Sequence, residues 1–273
     1  MFKPLVTTLA LTAALVGLVL TPRSPMLNRE KAEASRTTAQ SPVLVELFTS
    51  EGCSSCPPAD ELLTRLEQTQ PVDGAEIIAL SEHVDYWNRL GWTDPYSSPK
   101  FSARQNDYAR AFDTDGAYTP QMIVDGRVQF VGSNVGKARD AIASASHDSK
   151  TAVTVRLASE DARAASIMLE VRADRPQSIS ERDSAQVLLA ITESGLRSSV
   201  ARGENAGRRL SHTAVVRKLV TLGSVDSQGS QFVAKPVVKV DKSWKLENAK
   251  AVVFVQEVTS RRVLGAASAS IGK

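Results

Sequence analysis

The chain has 273 residues, 42% of them hydrophobic, with a formal net charge of +3 at pH 7. That apolar share supports a packed core, and so slight a charge, without a long lysine-arginine run, does not suggest a surface built to hold nucleic acid. There is no internal repeat and no glycine-rich phosphate loop, and the whole chain has two cysteines.

Lys3 is followed by an uncharged stretch from Pro4 to Pro22, mostly apolar between Leu5 and Leu20. A charged start before an apolar segment somewhat short for a membrane span reads as an export signal. The nearest small-x-small site, Ala32-Glu33-Ala34, lies far from the apolar segment, so residues 1–22 read as either a cleaved signal peptide or a retained membrane anchor. Both readings predict a folded part that is periplasmic or otherwise exported; the second also anchors it in the inner membrane. Residues 23–42, rich in Ser, Thr, Ala and charge, read as a linker.

Residues 43–148 alternate in type. Val43–Phe48 is a buried-strand run, Pro57–Glu67 a helix with Leu62, Leu63 and Leu66 on one side, and Glu76–Ser81 a second strand. Ser98-Pro99 has the form of an N-cap with proline at the first helical position, opening a helix that carries Phe101, Tyr108 and Phe112. Gln121–Val124 and Arg127–Val131 flank Asp125-Gly126, a hairpin signal, and Asn134–Ala145 is a last helix. The order β-α-β-α-β-β-α predicts a mixed sheet covered by helices. Residues 149–273 change character. Seven strand-like runs, at 151–157, 165–171, 186–192, 213–220, 231–240, 251–258 and 263–270, predict an all-β, sandwich-like second domain.

The cysteines fall in Gly52-Cys53-Ser54-Ser55-Cys56-Pro57-Pro58, between the first strand and the first helix. Free N–H groups at a helix start stabilise a thiolate, so Cys53 is the candidate nucleophile and is expected to be the more acidic and more exposed thiol. Cys56, one turn on, is the resolving thiol. A fixed structural disulfide is the plain alternative, but a loop this short gains little from cross-linking. Glu46 is the only charge in its strand run, on the same face as Leu44 and Phe48; a buried carboxylate there could take the proton of Cys56. His83-Val84-Asp85-Tyr86-Trp87 follows the second strand, where loops of open α/β sheets border a site, so His83, Tyr86 and Trp87 are candidates for a substrate wall. They could instead close the core. His83 could also join Cys53 and Cys56 on copper(I) or zinc. His147 and His212 read as surface or structural residues. Gly203–His212 has glycines, Asn205 and arginines suited to a turn. It is expected to lie near the active face of the first domain, with arginines toward Asp85 or Asp94.

The element order with C-x-x-C at the first helix resembles the thioredoxin fold, and Tyr118-Thr119-Pro120-Gln121 stands directly before the third strand. The resemblance implies a cis Pro120 facing the dithiol, with Thr119 beside it as a substrate contact. Thioredoxins also carry a buried acid near Glu46, one residue out of register, and have Gly-Pro where this chain has Ser54-Ser55. Over nearly its whole exported length the chain also resembles a bacterial family catalogued as domain of unknown function 1223. The matching stretches are Glu46–Asp60, His83–Asn88, Tyr118–Met122 and Gly203–Arg208. Together these readings predict a thiol-disulfide oxidoreductase whose partners are exported proteins with thiols or disulfides, with no cofactor beyond the Cys53–Cys56 disulfide. The alternatives are a metallochaperone using Cys53, Cys56 and His83, and a non-catalytic binding module with a structural disulfide.

Overall fold

The structure is a computed structural model that describes residues 1, 2, 4, 40–177, 179–225 and 231–272. Most of the expected signal or anchor and of the expected linker lies outside the described residues, and the linker's last two positions, 41 and 42, belong to the first strand. Among the described residues no helix is long and apolar enough to cross a membrane.

Strand β1 (Ser41–Thr49) is buried from Val43 onward, as befits a continuous apolar run in the middle of a sheet. It pairs in parallel with β2 (Ala75–His83), from Ser41 opposite Ala75 to Thr49 opposite His83. On its other side it pairs antiparallel with β3 (Gln121–Val124), which turns into β4 (Val128–Val131). The turn is the expected one: Asp125 and Gly126 have φ of 49° and 63°, the left-handed pair of a tight hairpin. Helix α1 (Pro57–Thr69) connects β1 to β2, and α2 (Pro99–Ala111) precedes β3, with Ser98 capping its start by accepting the Lys100 N–H. Helix α3 (Val135–Ser146) follows β4 and is capped by Asn134.

Strand alternation sets the two faces. Val43, Val45 and Leu47 pack with Leu62, Leu63 and Leu66 of α1 and with Ala138 and Ile142 of α3. Phe48 packs instead with Tyr108 of α2.

Past α3 the described chain consists of strands joined by turns and loops, with one 3-10 turn at Leu246–Asn248. Strands β5 (Val153–Asp161) and β6 (Ser166–Ala173) pair antiparallel. Then come β7 (Ala185–Glu193), β8 (Leu196–Ser199), β9 (Arg209–His212) and β10 (Val215–Val225). The last are β11 (Phe232–Ala234), β12 (Val237–Lys239), β13 (Ala249–Glu257) and β14 (Val263–Ser270). Strands β8 and β9 form a separate two-stranded hairpin, and β11 and β12 extend the edge of β6. The β5-β6 layer packs on β7 and β13 through Ile167, Leu169 and Val171 against Val187, Leu189, Val253 and Val255.

The boundary expected at residues 148 and 149 marks the change in composition but does not separate two sheets. Strand β10 joins β2, where the Ser81 N–H donates to the Ala214 carbonyl at 2.8 Å, giving one eight-stranded sheet in the order β14-β13-β7-β10-β2-β1-β3-β4. The sheet curls until β14 lies against β1. The described residues from 40 onward form one compact unit. The reason is the second face of β1 and β2: Leu44, Ile78 and Leu80 have their apolar partners in Leu188, Ala190, Val216, Val252 and Phe254 of the later strands.

Candidate functional site

Strand β1 ends at Thr49, and a turn delivers the chain to α1 with Cys56 at the N-cap and Pro57 at the first helical position. Cys53 and Cys56 are joined in a disulfide with their Cα atoms 5.4 Å apart. The Thr119–Pro120 bond is cis. Gly132, after β4, shows how near Pro120 stands to α1. A Cβ built on Gly132 would lie 3.1 Å from the Ala59 Cβ and 3.3 Å from the Pro120 Cβ. Trp87 bridges the same region: its Nε1 donates to Thr119 Oγ1 at 2.8 Å, and its Cβ is 3.1 Å from where Gly52 would carry one. Thr119 and Trp87 thus meet beside the C-x-x-C turn. Tyr86 is turned toward α2, with its hydroxyl donating to Gln105 Oε1 at 3.1 Å.

Beneath the turn lies a buried group of acids and imidazoles. The Glu51 amide donates to Asp94 Oδ2 at 2.8 Å, and the same oxygen is 2.7 Å from His83 Nδ1. The Glu51 carboxylate accepts from Trp92 Nε1 at 2.8 Å and lies 2.9 Å from His212 Nε2. The His83 and His212 rings meet edge to face with centroids 4.8 Å apart. Burial works to raise the Asp94 carboxyl, but His83 and the Glu51 and Tyr96 amides outweigh it, so Asp94 titrates below its ordinary value. Asp60, on the first turns of α1, goes the other way. Burial raises it from 3.8 to about 7 against the influence of His212 and the Thr49 hydroxyl, and Asp94 and Glu51 add to the rise. Asp60 lies four residues after Cys56, one helical turn further along α1.

Neither cysteine has exposed surface. This corrects the expectation that Cys53 is the more exposed thiol. The loop between β8 and β9 is bonded to the main chain on either side of Cys53. Asn205 Nδ2 donates to the carbonyls of Glu51 at 2.8 Å and Cys53 at 3.0 Å, and the Ser54 N–H donates to Glu204 Oε2 at 2.9 Å. The loop lies against the C-x-x-C turn, but its arginines do not reach Asp85 or Asp94. Arg208 Nη1 donates to Asn205 Oδ1 at 2.9 Å, while Asp85 accepts from Ser102 and Asp94 is taken by His83 and the Glu51 and Tyr96 amides.

Glu46 is not among these groups. Alternation along β1 puts it with Leu44 and Phe48 on the α2 side, whereas α1 and its cysteine cover the opposite face. There it accepts from Arg104 Nε at 2.8 Å and from the Tyr108 hydroxyl, and Arg104 Nη1 donates to Gln256 Oε1 at 3.0 Å. Arg104 Nε also lies 3.2 Å from Glu82, whose carboxyl burial raises well above its ordinary value. Glu46 is thus an anchor of Arg104 rather than a proton partner of Cys56. Nor are Cys53, Cys56 and His83 gathered as metal ligands: among the described residues no three His, Cys, Asp or Glu side chains are grouped to hold a metal ion.

Sequence reading passed over Glu51 and Asp60; it placed the loop carrying Glu204, Asn205 and His212 near the motif and named Asp94 as an arginine acceptor, but assigned none of the four a contact with the C-x-x-C turn or with Glu51. Asp60 carried a local signal, its spacing of four from Cys56 on a helix. His212, read as surface or structural, is buried against Glu51, on a strand β9 that lies beside α1.

No curated protein matches the chain. An X-ray crystal structure of a protein from Agrobacterium tumefaciens is similar at 29% identity and a TM-score of 0.67, over 86% of this chain and 96% of that one. HBP35 of Porphyromonas gingivalis shares the fold at 13% identity and a TM-score of 0.62, over 86% of this chain and 76% of its own. The profile of the family described as "Protein of unknown function (DUF1223)" matches residues 44–256, and the chain belongs to that family.

Proposed function

We propose that the protein is an exported thiol-disulfide oxidoreductase of thioredoxin-like design, exchanging disulfides with other exported proteins through Cys53 and Cys56. The observation that carries the proposal is the disulfide at the start of α1 with a buried acid, raised to about 7, one turn further along the helix. In the oxidising direction a client thiolate attacks Cys53 Sγ. A mixed disulfide forms and Cys56 leaves as a thiolate, with the protonated Asp60 as its proton donor. A second client thiolate then attacks the client sulfur of the mixed disulfide and releases Cys53 as a thiolate. The client loses two electrons to become a disulfide, and the Cys53–Cys56 pair gains them. The reducing direction is the reverse, beginning with Cys53 attacking a client disulfide. Thr119 and Trp87 border the approach.

The burial of both cysteines favours a second reading, a binding module whose disulfide is structural. One pair of measurements separates the two. Cys56→Ser, expressed with its export segment, should accumulate mixed disulfides with exported proteins that dissolve on adding reductant. The wild-type pair should equilibrate with glutathione buffers. A potential below about −300 mV, the range of structural disulfides, together with an empty trap, would establish the second reading.

A further inference from the structure

We infer that residues 201–207 form a displaceable cap on the disulfide, and that Glu204 and Asn205 occupy main-chain groups which a client polypeptide takes when the cap lifts. The assignment to a client rests on the oxidoreductase reading; the cap itself does not.

Three main-chain groups flank Cys53: the carbonyls of Glu51 and Cys53 and the N–H of Ser54. All three are held by side chains from this one loop. Main-chain donors and acceptors seek partners, so these groups need replacements whenever the loop leaves. An extended peptide can offer both kinds, an amide donor for the carbonyls and a carbonyl or carboxylate for the N–H. The loop is held as a plug would be. Between residues 201 and 209 Asn205 is the one buried residue, and it is polar. Glu204, which meets Ser54, is exposed. The base of the loop is closed by main-chain bonds, from Gly207 N to the Val200 carbonyl at 2.8 Å and from Val200 N to the Arg208 carbonyl at 3.0 Å. Gly203 and Gly207 flank the plug with φ of 78° and 80°, a region that glycine enters and leaves with little steric cost. The other neighbours of the site are fixed in the body. Trp87 packs beside the core of Phe48 and Tyr108, and Pro120 is wedged near Ala59. Attack on Cys53 requires the sulfur to be reached, and of the segments bonded around Cys53 this loop is the one that can leave without uncovering an apolar core residue between 201 and 209.

The cap is tested by the rate at which the disulfide is reduced under native conditions. The probes are dithiothreitol and an unstructured peptide with one cysteine. Asn205→Ala should reduce about tenfold faster than wild type with dithiothreitol, the scale of one or two net hydrogen bonds, and faster still with the bulkier peptide. A variant with residues 202–206 replaced by Gly-Gly should show at least the same gain, so the result does not depend on one substitution. Wild-type reduction should change little over low urea, since a local opening exposes little surface. Unchanged rates in both variants, or wild-type reduction rising with urea as steeply as global unfolding, would overturn the cap. These readouts need no client. Fast opening with an empty Cys56→Ser trap would sink the oxidoreductase reading and leave the cap standing.

Discussion

Asp60 is a carboxyl whose charge the fold opposes. Burial raises it from 3.8 to about 7, and at about 1.4 kcal/mol per pH unit that is on the order of 4 kcal/mol against the ionised form. The raised value means that the folded state holds a proton the unfolded state has released. Stability from this group is complete below about pH 3.8, falls as pH rises toward 7, and is level above it. Asp60→Asn carries no such charge. Urea denaturation of the two proteins should therefore agree near pH 4 and diverge with rising pH, the variant becoming more stable by up to about 4 kcal/mol at pH 8. Parallel stability curves would mean that Asp60 ionises as an ordinary carboxyl. At this scale the local sequence told part of the story. Cys53 and Cys56 were legible because strand, turn, motif and helix follow one another within a few residues, whereas Thr119 and Pro120 were legible through the thioredoxin resemblance. Glu46 was legible as a buried acid on the Leu44 and Phe48 face. What could not be read was that this face looks toward α2 and Arg104, because which face a helix covers is decided by the chain crossing, not by the strand itself. Asp60 and Glu51 escaped notice for a similar reason: the His212 that sits with them arrives from residues far along the chain.

Among the elements, the β3-β4 hairpin joins local turn chemistry to long-range packing. Asp125 Oδ1 accepts the Leu44 N–H at 2.8 Å, and Lys150 pairs with the other oxygen, so the turn is tied both to β1 and to the chain entering the second half. Gly126 has a φ of 63°, and a Cβ there would stand 1.9 Å from the Arg261 carbonyl oxygen. That oxygen belongs to the backbone just before β14 and accepts from Gln256 Nε2 at 2.6 Å, so it cannot retreat freely. Gly74 provides the comparison, with a φ of 79° and nothing within 4 Å. Gly74→Ala should cost about 1 kcal/mol, the strain of a left-handed alanine. Gly126→Ala should cost 3 kcal/mol or more by chemical denaturation, because a main-chain contact must also open. Equal losses would mean that the approach of the hairpin to residue 261 carries no packing weight. The turn itself was legible as Asp-Gly between two apolar runs. Its contact with residue 261 was not, since nothing local announces that a sheet will curl back on its first strands. The same blindness hid β8 and β9, whose four-residue strands alternate too briefly to stand out and are held by their pairing with each other.

For the whole molecule, the change in character near residue 148 was legible and real in composition, but the stability of the first half depends on the second. Leu44, Ile78, Leu80 and Phe101 are buried in a core completed by Leu188, Val216, Val252, Phe254 and Val263. Exposing those four side chains would forfeit at most about 6–12 kcal/mol at about 1.5–3 kcal/mol each. Domains of ordinary size have a net stability of about 5–15 kcal/mol, so the loss is comparable to the whole. Cutting at residue 148 would also open the β2 edge that meets β10 and remove Asn205 and His212 from around the C-x-x-C turn. A fragment of residues 40–148 should therefore lack a cooperative transition and bind a hydrophobic dye. Residues 40–273 should unfold in one step, with fluorescence and far-ultraviolet circular dichroism giving the same midpoint. Because the cap opens locally while the buried His212 and the first-half strands stay in the cooperative body, Asn205→Ala should speed reduction of the disulfide without splitting that transition. A fragment with its own sharp transition, or two separated steps in the longer chain, would show that the continuous sheet joins two units able to stand apart.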